Sequence, residues 1–400
     1  MHGPWAERLY DRTPDAVNRQ PPIRQRPERR LLRLEPDWYL EQVPLLPLYG
    51  HAALRKRFKS ALTRNTLPAS LLLQGPRGVG KQQLALWLAR LLLCESADRA
   101  ARPCGACKPC RMAAEMHLPD LHWFFPRPRL KDTDPDPEDI EEDIAGAIAE
   151  RLQNGGVYEP PGGDEAIFVA TVRTIVHMAA LAPAMGHRKV FVIGDAERMV
   201  AQEGSDQAAN AFLKLLEEPP ANTMIILTSS EPGALLPTVR SRVVAVRVAP
   251  LSLEDVRAFL ADPTVAGRLD LGGQDTTELL DLAAGAPGRL IARDAWTAAL
   301  GQARRLLDAA ASPDRGTRMR VALAQGSSGA RGKFSDTLDA LTVLVHERSR
   351  TATSAADDPA ALGAAKAMDA IEQAKELAGG NVSPQLVAAS LLQEISPLIR

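Results

Sequence analysis

Nowhere in this 400-residue sequence does an apolar run approach the ~20 residues that a membrane-spanning helix needs, and residues 1–45 hold no apolar core of a signal peptide. The expectation is therefore a cytosolic protein with no membrane partner. Charge of one sign is also missing. Lys and Arg number 48 against 49 Asp and Glu, a net charge of −1, which excludes a molecule that grips nucleic acid over its whole surface. Cysteine is scarce. The four present all fall between positions 94 and 110, too local a grouping for a disulfide framework and out of place for one in a cytosolic context.

What is present is ample apolar material, 45% of residues, enough for two to four domains at this length. Ser70–Gln74, Val190–Ile193, Met224–Leu227 and Val243–Val248 read as buried strands. Lys81–Leu93, Val172–Leu181 and Asp206–Glu217 read as helices between them, so the pattern predicts an α/β fold with a parallel, doubly wound sheet. Residues 1–45 form an Arg- and Pro-rich extension, a solvated tail or a basic arm. Residues 126–165 form an acidic surface insertion, helical around Ile140–Leu152. Ser252-Leu-Glu-Asp255 marks a capping box that opens a small helical unit. Beyond about Ala298 the chain reads as all-helical, with Ser383-Pro384 starting the last helix. The expected domains are 1–45, 46–249, 250–297 and 298–400.

Residues 75–82, Gly-Pro-Arg-Gly-Val-Gly-Lys-Gln, carry a phosphate loop with one letter changed. Gly75, Gly78 and Gly80 let the backbone curl with its N–H groups inward, and Lys81 supplies a charge for phosphate. Gln82 stands where the metal-holding Ser or Thr belongs. After the strand ending at Ile193 the expected metal carboxylate is Gly194, with Asp195 following; Asp195 and Glu197 serve only if the register shifts. These two lesions argue for weak or absent ATP hydrolysis, with ATP or ADP binding left open and Mg²⁺ dependence doubtful.

Cys94 and the run Cys104-Gly-Ala-Cys107-Lys-Pro-Cys110 place four thiolates where they can converge tetrahedrally on a structural zinc. A four-thiolate set leaves no open position for water, so the zinc is not expected to be catalytic. His117 and His122 lie close in sequence but are surplus to it.

Asn210-Ala-Phe-Leu-Lys-Leu-Leu-Glu-Glu-Pro-Pro220 and Leu235-Leu-Pro-Thr-Val-Arg-Ser-Arg-Val243 resemble two signature segments of the bacterial clamp-loader AAA+ family. Gly285-Ala-Pro-Gly-Arg289 resembles its sensor-2 region, and Asn381-Val-Ser-Pro-Gln-Leu386 the end of its collar. The resemblance spans roughly residues 47–400 and implies an AAA+ phosphate-loop base with a zinc module, a small helical lid and an all-α collar. It implies that Arg242 acts as a finger on a neighbour's ATP, although Val243 replaces the family's cysteine. It places Arg289 by the chain's own nucleotide, unless that residue only caps a helix, and sensor-1 polar residues at Thr228, Ser229 and Ser230. The implied partners are ATPase subunits of the gamma/tau kind, a clamp-opening delta subunit and, through the assembly, the sliding clamp and primed DNA. The rival expectations are an ATP-hydrolysing gamma/tau-like subunit and an AAA+ nucleotide-binding or DNA-repair module unrelated to the clamp.

Overall fold

Four apolar segments of four to seven residues and one mixed one form the sheet. In the computed structural model they are β1 (Ser70–Gln74), β2 (Leu121–Phe124), β3 (Lys189–Ile193), β4 (Thr223–Ser229) and β5 (Val244–Arg247), in the order β2-β3-β4-β1-β5. Every neighbouring pair is parallel. The structure describes residues 45–399 apart from 133, 154, 158–160, 162–164, 200–205, 270–274, 327–330 and 380–381. The expected basic arm, and Asn381 of the C-terminal motif, lie outside the described residues.

β3 and β4 are buried along their whole length, which is why they read as unbroken apolar runs rather than alternating ones. The edge strand β5 is largely exposed. β2 is the strand that the apolar pattern does not reveal. It is four residues long and holds a histidine, His122, whose ring stacks on Phe191 at 4.7 Å. Gln74 pairs in register with Ser229 and Ile193 with Leu227. The turns after β1, β3 and β4 therefore open at the same carboxyl edge, where open parallel sheets bind ligands.

The acidic segment carries a helix, Pro137–Gln153, with Ile140, Ile144, Ala147 and Leu152 buried on one face. Arg127 fixes it through a two-pronged pair to Asp143, both contacts 3.0 Å. The Arg151 guanidinium lies 3.2 Å from the centroid of the Phe125 ring. Ser252 caps the helix Leu253–Ala261 by accepting the Asp255 N–H at 3.1 Å. From Arg293 onward the described residues are helical, and Leu306, Phe334, Leu338, Leu341, Ile371, Leu391 and Ile395 build a second core there.

One cation ties this helical region to the sheet. Arg77, in the loop after β1, pairs with Glu231 at 2.8 Å, with Asp336 at 3.0 Å and with Asp339 at 3.9 Å. The two aspartates lie on the helix Arg331–Ser354, and Lys375 of the next helix, Asp358–Gly379, reaches Asp339 at 2.9 Å. Burial works against the Arg77 charge, but Glu231, Asp339 and Asp336 together hold its pKa above the ordinary guanidinium value. Removing one partner from a largely buried ion network strands the others. Arg77→Ala is expected to cost roughly 3–5 kcal/mol by that rule, read as a lowered urea midpoint, with Arg77→Lys losing less.

Candidate nucleotide site and zinc centre

Between the loop after β1 and the start of the helix Lys81–Leu93, Gly78 has φ +79° and Gly80 φ +86°. Both are left-handed values that glycine adopts without strain. Gly75 has a different reason to be glycine: a Cβ there would lie 2.2 Å from the Val248 carbonyl oxygen. A cavity of about 170 Å³ opens on this loop. Gly78, Gly80, Lys81 and Gln82 line one side, Asp195, Glu197 and Ser230 another, and Val157, Phe259 and Ile291 supply an apolar wall. Polar groups at a loop and helix N-terminus opposite an apolar wall suit a phosphate-bearing ligand with a flat apolar end.

The charged groups of the cavity are largely satisfied by the protein itself. Lys81 Nζ donates to the Pro76 carbonyl at 2.9 Å and to Ser230 Oγ at 2.8 Å, and burial lowers its pKa. Asp195 takes a left-handed backbone, φ 46°, and its N–H donates to Thr228 Oγ1 at 3.2 Å. Glu197 accepts the Ser230 N–H at 2.9 Å, while its other carboxylate oxygen is buried with no hydrogen-bond partner. Burial, with Asp195 and Glu231 nearby, pushes Glu197 up to about 6. The loop is also sealed from the far side, where Gly288 N donates to the Gly78 carbonyl at 2.9 Å.

The two expected lesions, at positions 82 and 194, are in contact with each other. Gln82 Oε1 accepts the Trp123 indole N–H at 2.9 Å, and Gln82 Nε2 donates to Asp195 Oδ2 at 2.9 Å. The Gln82 side chain lies directly against Gly194. A Mg²⁺ ion in a phosphate-loop site is held by a loop hydroxyl and a carboxylate. Here the hydroxyl is replaced by an amide, and that amide's N–H occupies an oxygen of Asp195, the carboxylate it faces, while Glu197 is turned to the Ser230 N–H. The residues present do not fit the metal.

Of the predicted nucleotide residues, Gly78, Gly80, Lys81 and Gln82 line the cavity, whereas Gly75, which packs against Val248, and Arg289 do not. The Arg289 side chain is buried, donates to the Ala283 carbonyl at 3.1 Å and stacks over Trp296 at 4.3 Å, and burial pushes it down to about 10. Only the backbone around it touches the loop, its N–H nitrogen lying 3.0 Å from where a Cβ on Gly78 would sit. Arg242 does not line this cavity. It sits at the partly exposed end of the turn before β5, with Nε on Glu217 at 3.0 Å and Nη1 on the Thr238 carbonyl at 3.1 Å. Ser230 and Thr228, expected as sensor-1 residues, contact Lys81 and Asp195, whereas Trp123 and the ion partners of Arg77 were not singled out from sequence. A buried tryptophan demands an acceptor for its N–H, but nothing in the sequence says which one.

The cysteines do converge. The sulfurs of Cys94, Cys104, Cys107 and Cys110 all lie within 4.8 Å of one another, and Cys94 and Cys107 are 3.9 Å apart. Tetrahedral zinc with bonds of about 2.3 Å sets sulfur separations of about 3.8 Å, so the donor set fits. Gly105 makes the knuckle turn at φ +70°. The N–H groups of Cys104 and Cys107 donate to the sulfurs of Cys94 and Cys104 at 3.5 and 3.3 Å, the kind of outer contact that orients metal ligands. Backbone donors from Cys107 and Ala106 bring Cys104 down to about 6, while burial pushes Cys110 up to about 12. His117 takes no part; its nearest charged partner is Glu115 at 3.8 Å.

This is a phosphate-loop α/β domain of the AAA+ kind, with a cysteine cluster beside the loop helix and a helical C-terminal region. The family model described as "DNA polymerase III, delta subunit" matches residues 50–252, half of the chain, and the chain belongs to that family of clamp-loader subunits. DNA polymerase III subunit delta' of Pseudomonas aeruginosa is 33% identical over 221 residues, 54% of this chain and 52% of that protein. The delta' subunit of Bacillus subtilis is 26% identical over 211 residues, 53% and 51% of the two chains. The tau subunit of Salmonella typhimurium is 28% identical over 198 residues, 50% of this chain and 24% of that one. The chain thus spans about half the length of the delta' relatives it matches. A solved Thermotoga maritima protein described as DNA polymerase III gamma subunit-related superposes with a TM-score of 0.32 and 18% identity, over 86% of this chain and 99% of that one. No helix among the described residues is long and apolar enough to cross a membrane.

Two measurements follow from these sites. Metal analysis of the purified chain is expected to find zinc bound at the four cysteines, and Cys110→Ser to lose it and melt lower. Glu197 provides a pH test. Its folded pKa of about 6 lies above the ordinary 4.5, so the folded state holds the proton more tightly. The contribution of this group to stability therefore falls as pH rises from 4.5 to 6, leaving a penalty of roughly 2 kcal/mol above that range at about 1.4 kcal/mol per unit. Glu197→Gln keeps the acceptor for Ser230 N–H. It is expected to stabilise the chain at pH 8 by roughly 1–2 kcal/mol, the gain vanishing below pH 4.5.

Proposed function

We propose that the chain is a delta-prime-like stator of the clamp loader. In this reading it hydrolyses no ATP itself and supplies Arg242 to the ATP of an adjacent gamma/tau-like subunit. The observation that carries the reading is the Gln82 amide lying where a catalytic site would hold its metal. Arg242 supports it from the other side. The Glu217 and Thr238 contacts steady the guanidinium at Nε and Nη1, and Nη2 has no partner among the described residues. A steadied, partly exposed guanidinium is suited to charge on a transferring phosphoryl group. The assembly would include a clamp-opening delta subunit and would load the sliding clamp on primed DNA. Residues 46–249 would form the base, 250–297 the lid and 298–400 the collar. ATP or ADP, where bound in the chain's own cavity, would serve as a fixed ligand, and zinc would be structural.

The isolated chain is expected to show negligible ATP hydrolysis, with or without primed DNA. Robust turnover by the pure chain would instead class it with the gamma/tau-like ATPases. In a reconstituted complex Arg242→Ala is expected to lower turnover at the site it serves by about 10-fold or more, with zinc content and melting temperature unchanged. Wild-type turnover by that complex removes Arg242 from the finger role.

A further inference from the structure

A side chain at position 194 would meet the Gln82 amide first. A Cβ built on Gly194 would lie 2.4 Å from Gln82 Nε2 and 2.5 Å from both Cδ and Oε1, and these are its three nearest atoms. The Gly194 backbone is not in the left-handed region, so alanine is barred there by the amide and not by φ. The amide in turn cannot swing aside cheaply. Gln82 is buried, and Trp123, at 1% exposure, is a donor only. The amide oxygen must therefore face the indole, which leaves the amide nitrogen facing Asp195. Three separate elements meet at this one group: the start of the loop helix, β2 and the turn after β3.

We infer that Gln82 is a resident replacement for the divalent cation, and that Gly194 is the space this replacement requires. The amide does the cross-linking that a cation would do, joining the phosphate loop to the acidic turn, and the site keeps its shape with no metal. A nucleoside triphosphate entering the cavity finds the cation position already taken. The inference deepens the non-hydrolysing reading and rests on it for its meaning. Its test needs no partner subunit and no turnover, so either can fail without the other.

The experiment is a double-substitution cycle on the full chain, followed by thermal unfolding. Gly194→Ala is expected to lower the melting temperature by about 6 °C or more, since a strained core contact costs a few kcal/mol. Gln82→Ser alone is expected to lower it less. Adding Gln82→Ser to Gly194→Ala is expected to raise it again, because the clashing amide is gone. Should Gly194→Ala fail to fold, recovery of cooperative unfolding in the double variant is the supporting result. Additive losses, or a double variant that fails as badly, overturn the coupling. A second readout is thermal stabilisation of the wild-type chain by ATP with Mg²⁺ or with EDTA. Equal shifts, or none in either, are expected; a shift that needs Mg²⁺ overturns the inference.

Discussion

The amide of Gln82 has one donating end and one accepting end, and the fold uses both. Trp123 can only donate and Asp195 offers an acceptor, so a single orientation satisfies all three groups. A buried hydrogen bond contributes only about 1 kcal/mol net, but an unmade one costs about 1–3 kcal/mol. A group satisfied at both ends is thus held more firmly than its net contribution suggests. The rest of the cavity is arranged around that fixed point. Lys81 folds back on Pro76 and Ser230, and Glu197 sits buried with a raised pKa. The loop that would wrap phosphate is tied to its own surroundings.

The same loop is restrained from the opposite direction by Arg77. Its three carboxylate partners come from the turn after β4 and from a helix more than 250 positions further along the chain. Lys375 completes a set of alternating charges in which Asp339 meets two cations. Burial alone pushes Asp339 towards its neutral form, and Lys375 and Arg77 outweigh it. A phosphate loop held internally by an amide and externally by an ion network has little freedom to move with a ligand. This rigidity is the physical property that a stator would need, and it arises from groups that no phosphate-loop pattern names.

The backbone plan was legible to the extent that burial is written in apolar runs. β1, the loop helix Lys81–Leu93 and the helix Asp206–Glu217 lie where the pattern put them, and β3 and β4 extend it by only one to two residues at their ends. β2 was not legible, because Leu-His-Trp-Phe is too short and too polar in its second residue to show a run. The cysteine cluster was legible because its ligands are near in sequence and a C-x-x-C redox pair would leave two of the four thiols unused. The coupling of Gln82 to Gly194 was not. The two positions are more than 100 residues apart, and each read as a defect until their contact was seen. Arg289 had two readings, and its side chain takes the helix-capping one, donating to the last carbonyl of the helix Thr276–Ala283. Its motif position pointed to phosphate, but Trp296 and the Ala283 carbonyl hold its side chain elsewhere.

The interlock also bears on how such a site could regain a metal. A hydroxyl at position 82 on its own takes the acceptor from the Trp123 indole and the N–H donor from Asp195, inside a cavity where each loss is costly. A carboxylate at position 194 on its own drives its Cβ into the Gln82 amide. Each single step is worse than the start, and the joint change removes the clash at position 194 but still has to find a new acceptor for the Trp123 indole. A non-catalytic phosphate loop of this kind is therefore a local minimum in its own right. The position facing Asp195 is taken by a neutral group that forms hydrogen bonds in two directions, while the partly exposed Arg242 guanidinium at the Ser-Arg turn is held outside this cavity by Glu217.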